Sequence, residues 1–285
     1  MNDFSESRQI NEVAKVVEDF GLEWSRFDQS ELSKEEVNSY FEEYFSIFPW
    51  SLLPQNACGF DLGCGSGRWA RFVAQRVGNL HCIDASPNAL LVAQKNLADM
   101  PNIDFICASV SNIPLDDNSM DFGYSLGVLH HVPDTASGLA NCVKKLRPGA
   151  PFLVYLYYAF DNRPLWFRMI WKISDLFRTI ISRLPVRLKF LLTDLIAILV
   201  YWPLARLALV IEKIGINPSN IPLSYYRNRA FYTMRTDALD RFGTSLEKRY
   251  SKAQIQQMME SSGLRDITFR EAEPFWCAVG FKTSN

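Results

Sequence analysis

Three glycines between a predicted strand and a predicted helix are the first residues in the chain suited to chemistry. Gly63, Gly65 and Gly67 stand in FDLGCGSGRWARFV, where glycine lets the backbone turn tightly and approach a ligand closely. The helix that follows offers unpaired backbone N–H groups at its N-terminus. The next predicted strand ends in IDAS, and its Asp84 is placed to accept hydrogen bonds from both hydroxyls of a ribose. These residues predict a nucleoside-containing cofactor across the strand ends.

The details of the glycine loop favour S-adenosylmethionine over a nicotinamide dinucleotide. The spacing is GxGxG rather than GxGxxG, and Asp61 stands two residues before Gly63. A carboxylate there repels a pyrophosphate but attracts the ammonium group of a methionine. Two alternatives stay open: a nicotinamide-dependent oxidoreductase, for which the usual Tyr-x-x-x-Lys pair is missing, and a non-catalytic protein that only binds the cofactor.

Two adjacent histidines follow the fourth predicted strand, in SLGVLHHVPD. This position puts His130 and His131 at the carboxyl edge of the sheet, beside the cofactor. Methyl transfer from a sulfonium needs orientation, desolvation and, for hydroxyl acceptors, a base. Because the pKa of histidine lies near neutrality, His131 is a candidate base or acceptor contact. The alternative, a histidine packed in its loop, is favoured.

A Tyr/Arg-rich stretch supplies further candidates. Tyr226, Arg229 and Arg235 are candidate substrate contacts, and Tyr232 is a second candidate catalytic residue. Clustered tyrosines and arginines suit an acceptor that bears hydroxyl, carboxylate or phosphate groups. The alternative is an aromatic hinge with solvated arginines.

Short apolar runs that alternate with helical patterns must position these residues. Five such runs lie between positions 57 and 158, and two more follow a helical pattern near the end of the chain. They predict an α/β fold: a Rossmann-like, seven-stranded, mostly parallel sheet with helices on both faces, plus an α-helical insertion after strand five. The last two strands are expected to form an antiparallel edge hairpin. Residues 1–50 are predicted to be an N-terminal helical cap, 51–158 and 250–285 the sheet domain, and 159–249 a helical lid or acceptor-binding insertion.

The runs FDLGCGSGRW, IDAS, CASVSNIPLDDNSMDFGYSLGVLHHVPD and LRPGAPFLVY resemble the successive motifs of class I S-adenosylmethionine-dependent methyltransferases. The similar branch is that of bacterial small-molecule enzymes, which includes quinone and sugar methyltransferases, and the resemblance covers roughly residues 56–158 and 250–283. It implies that Asp61, Gly63 and Gly65 hold the methionine end of the cofactor and that Asp84 binds the ribose. Trp24 lies in a segment that folds over the cofactor in similar proteins, and it is a candidate substrate contact.

The resemblance implies a second group of cofactor contacts, some of them at the adenine: Ala85, Ser109, Val110 and Leu126. The family usually carries an Asp–Ala pair for the adenine amine, where this chain has Ser109 and Val110. The hydroxyl of Ser109 or the backbone of Val110 is the expected substitute.

The most apolar window of the chain lies inside the insertion, at residues 190–211 (FLLTDLIAILVYWPLARLALVI). It has the length of a membrane span, but Asp194, Pro203 and Arg206 interrupt it. A single crossing would also separate strands that must share one sheet. The preceding helical run, PLWFRMIWKISDLFRTIISRL, carries its charges on one face and apolar residues elsewhere. A lid over the acceptor is the favoured interpretation, ahead of an interfacial helix or a homodimer contact.

Composition and charge restrict the classes of molecule that the chain is expected to bind. The net charge is −1, but positions 161–213 hold nine Lys/Arg against four Asp/Glu. A near-neutral chain gives no reason to expect nucleic acid, so a small-molecule acceptor, hydrophobic or amphipathic, is expected. The first residues lack the apolar run of a signal peptide, and the six cysteines form no CxxC pair. The three histidines have no metal-site spacing, so no metal is expected. The predicted location is cytoplasmic, with peripheral membrane contact or a homodimer through the insertion as candidate interactions.

Overall fold

One seven-stranded sheet organises the chain in the computed structural model, which describes residues 13–284. The strand order is β3-β2-β1-β4-β5-β7-β6, with β1 Cys58–Leu62, β2 Asn79–Asp84, β3 Ile103–Cys107, β4 Phe122–Leu126, β5 Pro151–Tyr155, β6 Leu264–Phe269 and β7 Cys277–Lys282. Strands β1 to β5 pair in parallel, and β7 runs antiparallel to both of its neighbours. The predicted Rossmann-like α/β fold is confirmed. The last two strands do pair, but β7 lies between β5 and β6, so β6 alone forms that edge.

Ten α-helices surround the sheet within the described residues: α1 Ala14–Arg26, α2 Lys34–Phe45, α3 Ala70–Ala74, α4 Pro87–Asn96, α5 Thr135–Lys145, α6 Leu165–Ile181, α7 Val186–Ile196, α8 Trp202–Lys213, α9 Phe231–Gly243 and α10 Lys252–Ser261. Local sequence explains several starts. Ser86 is the N-cap of α4, and Pro87 occupies the first position of that helix. Ser251 and Gln254 form a capping box at the start of α10. The first twelve residues of the predicted N-terminal cap and Asn285 lie outside the described residues.

The strands are apolar on both faces because both faces are covered. All five residues of β4 are buried, as expected for a central strand of a parallel sheet. One face packs against an aromatic cluster that includes Phe41 and Phe45 of α2. The other packs against α5 and α10 through residues such as Leu139 and Ile255. Two covered faces hold the strand ends rigidly, and these ends carry the site.

The insertion after β5 is helical, as predicted, and has a small core of its own. A π-helical turn, Ala197–Tyr201, joins α7 and α8 into one continuous helix. This helix, Val186–Lys213, is long and apolar enough to cross a membrane by length and composition alone. Ala197, Tyr201 and Ala205 pack with Met234 and Phe242 of α9.

The charged row predicted on one face of α6 divides in the structure. Arg168 and Lys172 are exposed, whereas Arg178 is buried and its Nε donates to Oδ1 of Asp175 at 2.6 Å. The apolar residues of α6 are largely exposed, for example Leu165 and Ile173. Its apolar face therefore does not cover a pocket in this structure.

Candidate functional site

A pocket opens at the carboxyl ends of β1, β2 and β4, where parallel strands of such folds present ligands. About 790 Å³ of space not occupied by protein atoms, part of it open to solvent, lies in this pocket. Six of the eight predicted cofactor contacts line it: Gly63, Asp84, Ala85, Ser109, Val110 and Leu126. Trp24 and His131 line it as well.

The glycine loop adopts backbone conformations that favour glycine. Gly63 has φ +77° and Gly65 has φ +54°, in the left-handed region. A Cβ on Gly63 would lie 2.3 Å from Cγ2 of Val128, and one on Gly65 would lie 2.8 Å from the Trp24 indole. The two positions therefore need glycine for space as well as for conformation.

Asp84 connects the loop to the second strand. Its Oδ2 accepts from the Gly65 backbone N–H at 2.9 Å, and its Oδ1 accepts from the Ser86 N–H at 2.8 Å. Burial raises the pKa of Asp84, and the two N–H donors oppose that shift. A carboxylate oxygen has more than one acceptor direction, so both oxygens can still receive ribose hydroxyls.

Asp61 is buried behind the pocket lining instead of forming part of it. It is 1% exposed, and burial raises the pKa of its carboxyl group well above the usual value. The nearby hydroxyl of Tyr124 opposes that rise in pKa, and Oδ2 of Asp61 forms no other hydrogen bond among the described residues. A buried carboxyl group with such an oxygen beside a glycine loop fits the ammonium group of a methionine.

The residues predicted for adenine lie in the pocket wall with part of their hydrogen bonding already used. The Ser109 hydroxyl accepts from the Ser111 N–H at 3.3 Å, and the Val110 carbonyl accepts from Nδ2 of Asn141 at 3.1 Å. The Ser109 hydroxyl still has a proton to donate.

His131 is held as a neutral imidazole. Its Nδ1 donates to the Leu246 carbonyl at 2.7 Å, which leaves Nε2 as the acceptor nitrogen. Burial lowers the pKa of His131 to about 4. Its Nε2 has no hydrogen-bond partner among the described residues, and His131 lines the pocket. His130 is fully buried and stacks on Tyr157 at 3.8 Å between ring centroids, so its place is structural.

Helix α9 brings buried carboxyl groups towards His131 and α1. Oδ1 of Asp240 lies 3.8 Å from Nε2 of His131, and Oδ2 of Asp240 accepts from the Tyr157 hydroxyl. Burial raises the pKa of Asp240 and of Asp237 to about 6. Glu23 of α1 is 4% exposed, and burial together with the nearby Asp240 and Asp237 raises its pKa well above the usual value. These three carboxyl groups are not among the residues that line the pocket, but Asp240 lies beside His131, which does line it.

Four predicted residues of the Tyr/Arg-rich stretch do not line the pocket. The Tyr226 hydroxyl donates to Asp237 at 2.8 Å, and Arg229 forms an ion pair with Glu43 of α2. Arg235 donates to Asp194 at 3.1 Å. The Tyr232 hydroxyl accepts from the Gln29 N–H at 2.9 Å, and burial raises its pKa to about 12. Arg229 and Tyr232 connect the insertion to α2 and to the segment after α1, whereas Tyr226 and Arg235 bind partners within the insertion. Both arginines are paired instead of solvated.

One wall of the pocket was not predicted residue by residue. It comes from α1 and the residue before it: Val13, Val16, Val17 and Phe20, in addition to Trp24. The spacing of 3 and 4 residues along this stretch is that of one helical face. The sequence shows this apolar face. The surface that the face covers, however, depends on how α1 packs against α4 and α9.

Comparison with known proteins supports the interpretation of the pocket. Residues 60–154, from β1 to β5, match a family model described as a methyltransferase domain. Phosphoethanolamine N-methyltransferase 2 of Caenorhabditis elegans is 32% identical over 100 residues, which are 34% of this chain and 23% of that protein. Demethylmenaquinone methyltransferase of Staphylococcus epidermidis is 33% identical over 93 residues, 31% of this chain and 38% of that protein. The chain thus matches less than two fifths of the length of these relatives.

A solved structure supports the fold over nearly the whole chain. A Haloferax volcanii protein, solved in complex with a methyltransferase activator, superposes with a TM-score of 0.51 at 14% identity. The alignment covers 93% of this chain and 97% of that chain. At this identity the likeness concerns the architecture alone.

Proposed function

We propose that this chain, whose residues 60–154 match a family model described as a methyltransferase domain, is a class I S-adenosylmethionine-dependent methyltransferase that methylates a small hydrophobic or amphipathic molecule. The observation that carries the proposal is the pocket at the strand ends. Asp84 binds the glycine loop there, and the acceptor nitrogen of His131 has no partner in the same pocket. The family match favours methyl transfer over the nicotinamide and non-catalytic alternatives.

S-adenosylmethionine, when bound, supplies a methyl group activated on a sulfonium. The residues of this chain then have three tasks. Asp84 accepts hydrogen bonds from the ribose, and the buried carboxylate of Asp61 compensates the methionine ammonium group. Phe20 and Trp24 exclude water from above the glycine loop. His131 accepts a proton from the methyl acceptor at Nε2 and is returned to its neutral form by solvent.

The acceptor is proposed to enter between α1 and α9, next to His131 and Asp240. Relatives of the domain are named for a quinone and for phosphoethanolamine, an amphipathic molecule and a charged one. The apolar residues of α1 favour an acceptor with an apolar part, and Glu23, Asp237 and Asp240 favour one with a hydroxyl or cationic group near the methylated atom. The proposed cover over the site consists of residues 13–50 and the inner side of the insertion at 159–249. We place the enzyme in the cytoplasm.

Calorimetry with S-adenosylhomocysteine and with NADH tests the cofactor assignment without an acceptor. We expect the wild type to bind S-adenosylhomocysteine and not NADH. Asp84→Ala is expected to weaken that binding about 10- to 100-fold, because hydrogen bonds to a charged group contribute roughly 1.5–3 kcal/mol. Asp116→Ala, an exposed carboxylate elsewhere in the chain, is the matched control. Binding of NADH alone would refute the assignment.

Transfer of a labelled methyl group tests the acceptor class. The labelled cofactor is offered with a demethylated quinone, with phosphoethanolamine and with a soluble phenol. We expect label in an amphipathic acceptor and none without enzyme. Label in phosphoethanolamine or the phenol alone would contradict the amphipathic class, and cofactor binding with no turnover on any acceptor would favour the non-catalytic alternative.

A further inference from the structure

We propose that the outer surface of the insertion docks on an anionic lipid bilayer. We define this surface as the exposed faces of α6 and of the continuous helix Val186–Lys213. Two independent features carry the inference, the exposed apolar side chains and the charges beside them.

The exposed apolar side chains of the protein are concentrated in this one region. Of the 23 large hydrophobic residues that are exposed within the described chain, 20 lie between Leu165 and Ile216. Ile173 and Phe177 on α6 are 59% and 55% exposed, and Leu199 and Trp202 on the long helix are 68% and 48% exposed. Apolar surface on this scale marks an interaction site on a soluble domain.

The exposed basic residues of the same region have no acidic partners, whereas its acids are all engaged. Arg168, Lys172, Arg183, Arg187 and Lys213 are exposed and form no ion pair with any described residue. The four acids do have partners: Asp175 pairs with Arg178, Asp194 with Arg26 and Arg235, and Glu212 with Arg227, while Asp161 accepts from Trp276. The surface is therefore apolar and cationic, the combination that an anionic membrane surface attracts.

On α6 the two kinds of side chain occupy adjacent sectors of the helix. At 100° per residue, the exposed apolar residues from Leu165 to Ile180 span about 140° of the circumference. Arg168 and Lys172 lie at one border of this sector, and Arg178 and Ile181 on the buried side. A helix of this type lies in the interface plane with its apolar face among acyl chains and its cations at the headgroups.

The inner side of the long helix argues against a membrane span. Nζ of Lys189 lies 2.7 Å from Oδ1 of Asp19 in α1, and the Lys189 side chain is 4% exposed. Asp194 binds Arg26 and Arg235, and Arg206 donates to the Arg227 carbonyl at 3.0 Å. A spanning helix would have to break these contacts and place the charges in hydrocarbon. Docking on the surface keeps all of them.

Charge also argues against a second copy of the chain as the occupant. A symmetric dimer places the same patch on both sides of the interface. The unpaired cations of one copy would then face those of the other, with no unpaired acid in the patch to separate them. Lipid headgroups such as phosphatidylglycerol supply the missing negative charge.

The docked surface connects to the pocket through α1. Because Lys189 binds Asp19 and α1 lines the pocket, a docked protein holds its pocket cover beside the bilayer. An amphipathic acceptor dissolved in the membrane would then reach the site without crossing water. This last step rests on the proposed function, whereas the docking itself does not.

Vesicle co-sedimentation of the full chain tests the docking. We expect binding to phosphatidylcholine vesicles that contain phosphatidylglycerol, weaker binding to pure phosphatidylcholine, and loss of the difference at high salt. The double variant Arg168→Gln and Lys172→Gln should bind anionic vesicles about 30-fold more weakly, from roughly fivefold per basic residue. Ile173→Ser with Phe177→Ser should weaken binding to both kinds of vesicle.

Matched controls separate docking from general damage. Lys144→Gln removes an exposed cation, and Leu91→Ser an exposed apolar side chain, both outside the surface, and both should bind vesicles as the wild type does. S-adenosylhomocysteine binding shows that each variant is folded. If the apolar variants fail to fold, the second measurement is quenching of tryptophan fluorescence by brominated lipid. We expect quenching of Trp166 and Trp202 in the wild type and none in the Trp166→Phe and Trp202→Phe double variant.

Three results would overturn the proposal. The first is no binding of the wild type to anionic vesicles. The second is equal binding by the Arg168→Gln and Lys172→Gln variant. The third is a stable dimer in sedimentation equilibrium that Ile173→Ser dissociates, together with no quenching by brominated lipid.

Discussion

Nε2 of His131 lies 3.8 Å from Oδ1 of Asp240, and neither atom has a hydrogen-bond partner among the described residues. The two side chains come from distant parts of the chain, the loop after β4 and helix α9. The Leu246 carbonyl holds the proton of His131 on Nδ1, so Nε2 is the nitrogen able to take up a proton. Asp240 is positioned to stabilise the imidazolium that would result.

Replacement of His131 by glutamine tests its role as a base. If the acceptor must lose a proton, kcat of His131→Gln should fall by about 10²- to 10⁴-fold. His81→Gln, on β2 and outside the pocket lining, is the control and should keep kcat. The measurement is initial-rate kinetics across pH together with the affinity for S-adenosylhomocysteine. An unchanged kcat with a raised KM would show that His131 contacts the acceptor but is not the base.

Asp240→Asn should change how stability depends on pH. Burial raises the folded pKa of Asp240 to about 6 from 3.8, so the folded state binds this proton more tightly than the unfolded state does. The resulting stabilisation is present below about pH 4 and is lost as pH rises through about 6. A shift of about two units corresponds to roughly 3 kcal/mol.

Urea unfolding of the wild type and of Asp240→Asn between about pH 4 and pH 7 measures this dependence. The variant should lose less stability than the wild type as pH rises over this range. Asp116→Asn, at an exposed carboxylate, should follow the wild type. Parallel curves for Asp240→Asn and wild type would show that Asp240 is not desolvated.

Gly65→Ala should weaken cofactor binding in addition to lowering the stability of the fold. A Cβ there must tolerate φ +54° and would lie 2.8 Å from the Trp24 indole. The Gly65 N–H also donates to Asp84. We expect a loss of stability of about 1–3 kcal/mol and at least a tenfold loss in affinity for S-adenosylhomocysteine.

Gly149→Ala is the matched control for this change. Gly149 has φ +81° but no atom within 4 Å of an added Cβ, so it carries the backbone strain alone. Thermal unfolding and calorimetry should show a similar loss of stability with unchanged affinity. Equal affinities for Gly65→Ala and wild type would contradict a close fit of the loop to the ligand.

Lys189→Met should destabilise the contact between the insertion and α1. The change leaves the Asp19 carboxylate, 12% exposed, without its cation, and breaking one partner of a buried pair costs about 3–5 kcal/mol. Lys213→Met, at an exposed position on the same helix, is expected to be nearly neutral. The measurement is urea unfolding, and the double variant Asp19→Asn with Lys189→Met should recover part of the loss. A neutral Lys189→Met would mean that α1 does not depend on the insertion.

The sheet and the loops at its strand ends could be predicted because their signals are local. Short apolar runs between helical patterns indicate parallel strands, and glycines beside an acid at a strand end indicate a ligand loop. Asp84, Gly63 and Ser109 line one pocket in the structure. Their positions follow from the carboxyl ends of adjacent strands.

The acceptor side was not predictable in the same way, because it depends on pairs of residues far apart in sequence. Arg26 meets Asp194 across 168 positions and Lys189 meets Asp19 across 170, and no local pattern specifies such partners. Arg229 and Arg235 were candidate substrate contacts by type and clustering, yet Glu43 and Asp194 engage them.

The sequence by itself determined the class of fold, the glycine loop and the amphipathic helices, since side-chain periodicity and glycine conformation act within a few residues. Only the tertiary structure decided which amphipathic face covers the pocket and which remains open. An apolar face has no preference among partners of equal polarity, so packing geometry selects one. In this structure α1 covers the pocket, whereas the apolar faces of α6 and of the long helix are exposed beside unpaired cations.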